Sequence, residues 1–225
     1  MTEQNQEGEL PEHLAITMFE SPSSFEFYKK RKDLVLMLAN LQAELGIKIM
    51  TVYLLDTALK NEEFSASVSS IAEIAVALRE FSENSRTRIS AFGRWYDLPS
   101  EVVESIKGLI TLTADRNELF LNLCINYDGR DEITDACRII SLKALSGKLE
   151  PSSITRDTIK ENISSSYFPS PSLIIKNNPP EASALLLWDS PGAKIIFTGK
   201  EWANISRQDV LNALRFYGKL KSQSE

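Results

Sequence analysis

Six short apolar runs rich in β-branched residues, at 14–18, 49–55, 88–92, 119–125, 173–175 and 193–197, are separated by longer stretches of helical period. Strands that alternate with helices pair in parallel, because each return to the sheet needs a crossover and the crossover helix covers a sheet face. The predicted fold is therefore α/β: a central, mostly parallel six-stranded sheet flanked by helices. The clearest helix is 25–45, where Leu34, Met37, Leu38, Leu41 and Leu45 fall at i, i+3, i+4, i+7 and i+11 and Gly46 follows as a stop. Ile71, Ile74, Ala75 and Leu78 repeat the pattern. So do Val102, Val103, Ile106, Leu109 and Ile110 behind a Pro99-Ser100-Glu101 start. Ser206, with Asp209 three residues on, announces a last helix over 208–219 through a weak form of the capping box.

A chain of 225 residues is long enough to bury a substantial core. The expected organisation is a flexible acidic tail at 1–12, a single domain at 13–219 and a polar tail at 220–225. Ser, Pro and Asn crowd 146–180, which reads as loops or a lid. The net charge of -6 repels nucleic acid and anionic lipid as a whole-molecule field, so no nucleic-acid partner is expected. No run approaches the roughly 18 apolar residues of a membrane span and the first residues lack an apolar core, so a cytoplasmic protein is expected. Cys124 and Cys137 have no CxxC spacing and one histidine, His13, to accompany them; they read as buried reduced thiols. His13, just before the first strand, gives no nucleophile-base pair. Trp95, Trp188 and Trp202 read as core or strand-end packing. The run Lys29-Lys30-Arg31-Lys32 opens the first long helix, where it opposes the dipole. It is either a solvated face or a contact for diphosphate or membrane headgroups.

The stretch 118–140, ELFLNLCINYDGRDEITDACRII, resembles the cis-prenyltransferase (undecaprenyl diphosphate synthase) family. Asn122, Asn126, Tyr127, Gly129, Arg130, Glu132 and Ile133 hold the places of that family's Asn-Tyr-Gly-Gly-Arg block, with Asp128 replacing the first glycine. Downstream, Leu186, Leu187, Trp188, Ala193, Phe197 and Trp202 stand in register with a second family block, and HLAITM and GIKIMTVYLL are similar to its first two strands. The resemblance runs over about 13–217 and implies the family's fold. It also implies the family's chemistry, in which an allylic diphosphate ionises while magnesium and basic groups take up the charge on the leaving pyrophosphate.

The family's diphosphate-contacting blocks are altered. Phe19 stands where the Asp after the first strand is expected, and the Arg and Trp that follow it are gone. Tyr28 falls near the place of a histidine, and Asp56-Thr57-Ala58-Leu59-Lys60 replaces Ser-x-Glu-Asn-Trp. In 172–183, which corresponds to the family block whose two Arg and a Ser grip isopentenyl diphosphate, Lys176 takes the place of the first Arg, the second Arg is lost with a two-residue deletion, and Ser183 keeps the serine. Lys194 reverses the charge of the metal-binding Glu. The family's magnesium ligands are absent, so no cofactor is expected.

The expected substrate contacts are Lys176, Arg130, Ser183, Lys194, Glu20 and Asp56, and the expected ligand is a prenyl diphosphate. For several of these, two readings stand together. Lys176 is an anion contact or a solvated loop lysine. Glu20 and Asp56 rebuild an oxygen-ligand cation site, or serve as a helix cap and a strand-end turn. Arg130 braces the strand-to-helix turn or touches phosphate. An apolar groove between the sheet and the helices near 25–45 and 66–83 is expected to take the isoprenoid chain. The resemblance further implies a dimer, either with itself or with a related prenyltransferase. The function expected is a repurposed prenyl transfer rather than polyprenyl chain elongation. The alternatives are a non-catalytic partner subunit, disfavoured because the C-terminal Arg-x-Gly of such partners is absent, and an isoprenoid-binding protein without a transfer step.

Overall fold

The computed structural model describes residues 9–17, 25–55, 61–177 and 184–223. Its sheet contains β1 (His13–Thr17), β2 (Ile49–Tyr53), β3 (Thr87–Phe92), β4 (Leu119–Cys124), β5 (Leu173–Lys176) and β6 (Lys194–Phe197), in the order β3-β4-β2-β1-β5-β6. Every pairing is parallel, so the sheet expected to be mostly parallel is wholly so among the described residues. The helices are α1 (Phe25–Leu45), α2 (Asn61–Glu83), α3 (Ser100–Leu112), α4 (Gly129–Leu145), α5 (Arg156–Lys160) and α6 (Arg207–Ser222). The capping box before α6 is complete: the Ser206 side chain accepts from Asp209 N–H, and Asp209 accepts from Ser206 N–H at 2.9 Å.

Alternation along the strands sends successive side chains to opposite faces. Leu14, Ile16, Met50, Val52, Leu121, Leu123 and Ile175 form one core with the inner faces of α1, α2, α3 and α6. Ala15, Ile49, Tyr53, Phe120, Cys124 and Ile174 form a second core on the other face, closed by Tyr127, Phe168, Leu185 and Leu186. Strands buried on both faces read as continuous apolar runs, which is why they stand out in the sequence.

Cys137 is exposed rather than buried, because α4 turns Glu132, Ala136 and Ile140 inward and leaves position 137 on its outer face. Of the loops or lid expected over 146–180, the described residues 146–177 are mostly loops around α5 and β5, and Phe168 packs edge-on against Phe120 with ring centroids 5.4 Å apart. The inner faces of α1 and α2 contribute Leu34, Leu38, Leu41, Ile71, Ile74 and Leu78 to the first core. A surface groove of about 600 Å³ at these helices mixes Leu36, Ala72, Val76 and Ala77 with Lys32, Glu73, Glu80 and Ser105.

His13 is the first residue of β1, not a residue ahead of it, and is buried. Its Nδ1 lies 2.7 Å from the Pro169 carbonyl, which can only accept, so Nδ1 carries the hydrogen. Nε2 then accepts from the Thr51 hydroxyl at 2.8 Å, and Thr51 in turn accepts from Asn122 Nδ2 at 3.3 Å. Burial lowers the His13 pKa below 6.5. Between that lowered value and the ordinary one, the unfolded chain binds more protons than the folded chain, so stability falls as pH drops through the window. Urea unfolding from about pH 8 to about pH 5 is expected to show this loss below roughly pH 6.5, the ordinary histidine value. His13→Gln is expected to lose less stability than the wild type over the same range; equal pH slopes would remove His13 as the cause.

Candidate functional site

In a parallel sheet, ligands bind beyond the C-terminal ends of the strands where the chain reverses its direction across the sheet. Here the chain moves from β1 to β2 on one side and returns as β5 on the other, so the switch falls between β1 and β5. The residues in register at that edge are Thr17, the last of β1, and Lys176, the last of β5. Lys176 is only 6% exposed, which overturns its reading as a solvated loop lysine. Its Nζ lies 5.8 Å from the centroid of the Phe197 ring, and Asn177 beside it is also buried. The Thr17 carbonyl accepts the indole N–H of Trp202, a fully buried residue.

A second buried cation stands at the end of β2. Arg31, read within a solvated basic run, is 0% exposed. Its guanidinium donates to the Ser67 hydroxyl at 2.8 Å and to the Leu54 carbonyl, and lies 5.6 Å from the Tyr28 ring centroid. Burial pushes its pKa down to about 10, so it stays charged at neutral pH. Lys29 and Lys30 on the same turn are exposed, as a surface run would be. Arg31 and Lys176 thus place positive charge at the ends of the two strands that flank β1.

The turn from β4 into α4 is built differently. Asp128 caps α4, accepting the Arg130 N–H at 2.7 Å and pairing with the Arg130 guanidinium at 2.7 Å. These bonds hold the Asp128 carboxyl below its usual range. Tyr127 donates its buried hydroxyl to Glu132 at 2.7 Å, and Glu132 also accepts the Ser164 N–H at 3.1 Å. Burial pushes the pKa values of both Tyr127 and Glu132 up. A cavity of about 210 Å³ opens beside this turn, lined by Asp128, Asp131, Glu132 and Asp135 against one cation, Arg94. Its charge disfavours a diphosphate.

The six expected contact residues do not gather in one place within the described residues. Lys176 lies at the switch. Arg130 follows β4, three strands away across the sheet, or about 14 Å at ordinary strand spacing. Lys194 begins β6 opposite Leu173, so it stands at the other end of the strand from Lys176. Glu20, Asp56 and Ser183 lie outside the described residues. The described strand ends, Thr17, Tyr53, Phe92, Cys124, Lys176 and Phe197, offer no carboxylate and one lysine. That donor set does not fit magnesium, which takes hard oxygen ligands.

The prenyltransferase family model, described as undecaprenyl diphosphate synthase, matches residues 22–224. The chain belongs to this cis-prenyltransferase family. It is 30% identical to a tritrans,polycis-undecaprenyl-diphosphate synthase (geranylgeranyl-diphosphate specific) of Methanopyrus kandleri, over 97% of this chain and 86% of the relative. It is 29% identical to an isoprenyl transferase of Streptococcus pyogenes, over 94% of this chain and 92% of the relative. Its fold matches that of lavandulyl diphosphate synthase from Lavandula x intermedia, solved with dimethylallyl diphosphate, at a TM-score of 0.83 and 23% identity over 93% and 95% of the two chains. Within this cis-prenyltransferase frame the sequence points to Arg31 only as part of the basic run left open as a diphosphate contact, and does not point to Thr17, whose signal is a polar residue ending an otherwise apolar strand.

Proposed function

We propose that this cis-prenyltransferase binds a prenyl diphosphate in the crevice between β1 and β5 and transfers its prenyl group to an acceptor other than isopentenyl diphosphate. The observation that carries the reading is the placement of two buried cations, Arg31 and Lys176, at the ends of the strands flanking β1. Charge held in a desolvated, preorganised position is what a departing pyrophosphate requires. In the transfer, the allylic carbon-oxygen bond breaks and pyrophosphate leaves with the bonding pair. A lone pair of the acceptor then attacks the allylic carbon, and the acceptor gives up a proton. Lys176 takes up charge on the leaving group, with Ser183 as a further donor, while Arg31 contributes from a distance through its fixed field. Glu20 and Asp56, which follow β1 and β2 in the sequence, would supply oxygen ligands to a cation paired with the diphosphate.

The case against elongation is chemical. Polyprenyl synthesis needs a second diphosphate held beside the first, and one of the two Arg that would grip it has no counterpart in 172–183. Losing one preorganised electrostatic partner costs about a hundredfold in rate or more. Purified protein is expected to be stabilised against heat by geranyl diphosphate, yet to incorporate no labelled isopentenyl diphosphate into geranyl or farnesyl primers with magnesium present. Robust long-chain product would overturn the reading and make the protein an ordinary synthase.

A further inference from the structure

The end of β1 carries a buried polar group unpaired among the described residues. Thr17 is 1% exposed, and its hydroxyl oxygen has no hydrogen-bond partner among the described residues. A buried hydroxyl left in this state costs stability that a valine of the same shape would not. Its carbonyl is held by the Trp202 indole, so the residue is fixed in place. Alternation puts Thr17 on the sheet face of Ala15 and Lys176 on that of Ile174, and these belong to one core. The two side chains therefore stand on the same face of adjacent strands, in direct register, about 4.8 Å apart at ordinary strand spacing.

We propose that the Thr17 hydroxyl donates to a diphosphate oxygen beside Lys176, so that the crevice grips its anion with a paired hydroxyl and ammonium. Lysine has donors and no acceptor, and the Thr17 hydroxyl has not turned to satisfy a neighbour. Two donors side by side at a switch point are complementary to an oxyanion, and a phosphate group has oxygens enough to accept from both. A cation is repelled by Lys176, and an apolar ligand would leave the hydroxyl unsatisfied. The assignment rests on the reading that this crevice takes a prenyl diphosphate, and names a residue that grips it.

The test compares wild type with Thr17→Val and Thr17→Ser by calorimetric titration with inorganic pyrophosphate and, separately, with geranyl diphosphate. Thr17→Val is expected to keep or raise the Tm while weakening the Kd for both probes about tenfold, and Thr17→Ser is expected to restore most of the affinity. If Thr17→Val binds both probes as wild type does, the hydroxyl has no part in the grip and the proposal falls while the prenyl diphosphate reading stands. A Tm loss of several degrees in Thr17→Val would expose a structural partner and equally overturn it. If pyrophosphate binding depends on Thr17 but geranyl diphosphate binds no tighter than pyrophosphate, the hydroxyl assignment stands and the isoprenoid reading falls. Failure of the wild type to bind either probe would overturn both.

Discussion

Replacing Gly129 with alanine is expected to lower stability by about 4 kcal/mol, at the upper end of what single substitutions do. An added Cβ would lie 2.7 Å from Leu187 Cβ and in hard contact with the Ala184 carbonyl, the same group that accepts the Gly129 N–H at 3.0 Å. Neither neighbour can yield easily. Leu185 and Leu186 are buried in the second core, and Leu186 already adopts a left-handed backbone with φ 46°. Relief would have to come from parting α4 from the 184–187 segment, which uncovers Tyr127 and that core. For a chain of this size the expected fall in Tm is about 8–16 °C. A variant melting within about 2 °C of wild type would mean that the close approach is not needed.

Lys176→Met is expected to weaken geranyl diphosphate binding about thirtyfold or more, since truncating one partner of a buried charge pair costs about 2–5 kcal/mol. Methionine keeps most of the length and apolar bulk of the side chain while removing the ammonium. The contact with the Phe197 ring, 5.8 Å from Nζ, changes from cation–π to sulfur–aromatic, so the local packing has a substitute. Lys176→Arg restores charge but replaces a compact ammonium with a planar fork, and is expected to recover only part of the affinity. Circular dichroism accompanies the titration. A folded Lys176→Met protein that binds like wild type would sink the assignment of this lysine to the diphosphate.

The sheet was readable in the sequence because a strand buried on both faces is a continuous apolar run, and 119–125 between charged flanks admits no other reading. Boundaries moved by a residue, as at His13, where a polar side chain inside a strand is explained only by the Pro169 carbonyl and the Thr51 hydroxyl. The site was less legible. Arg31 looks like its exposed neighbours until its partners at 54 and 67 are known, and those lie 23 and 36 residues away. Lys194 and Lys176 look equivalent as loop or strand lysines, and the register of β5 with β6 separates them to opposite ends. Asp128 replaces a glycine of the family block, and its use as a cap follows from the Gly-Arg-Asp-Glu helix start behind it.

The strand order has a consequence for biosynthesis. β1 leaves the ribosome first and meets β2 within one helix length, but its other edge pairs with β5, as distant in the chain as His13 is from Pro169, 156 residues on. At ordinary elongation rates, the synthesis of the intervening chain takes roughly ten seconds or more. During that time the nascent half-sheet of β1 to β4 has an uncovered edge at its centre-to-be, and exposed edges recruit other strands. The rate at which β5 docks, rather than the final stability, then sets how much of each new chain is captured by chaperones or lost to aggregation.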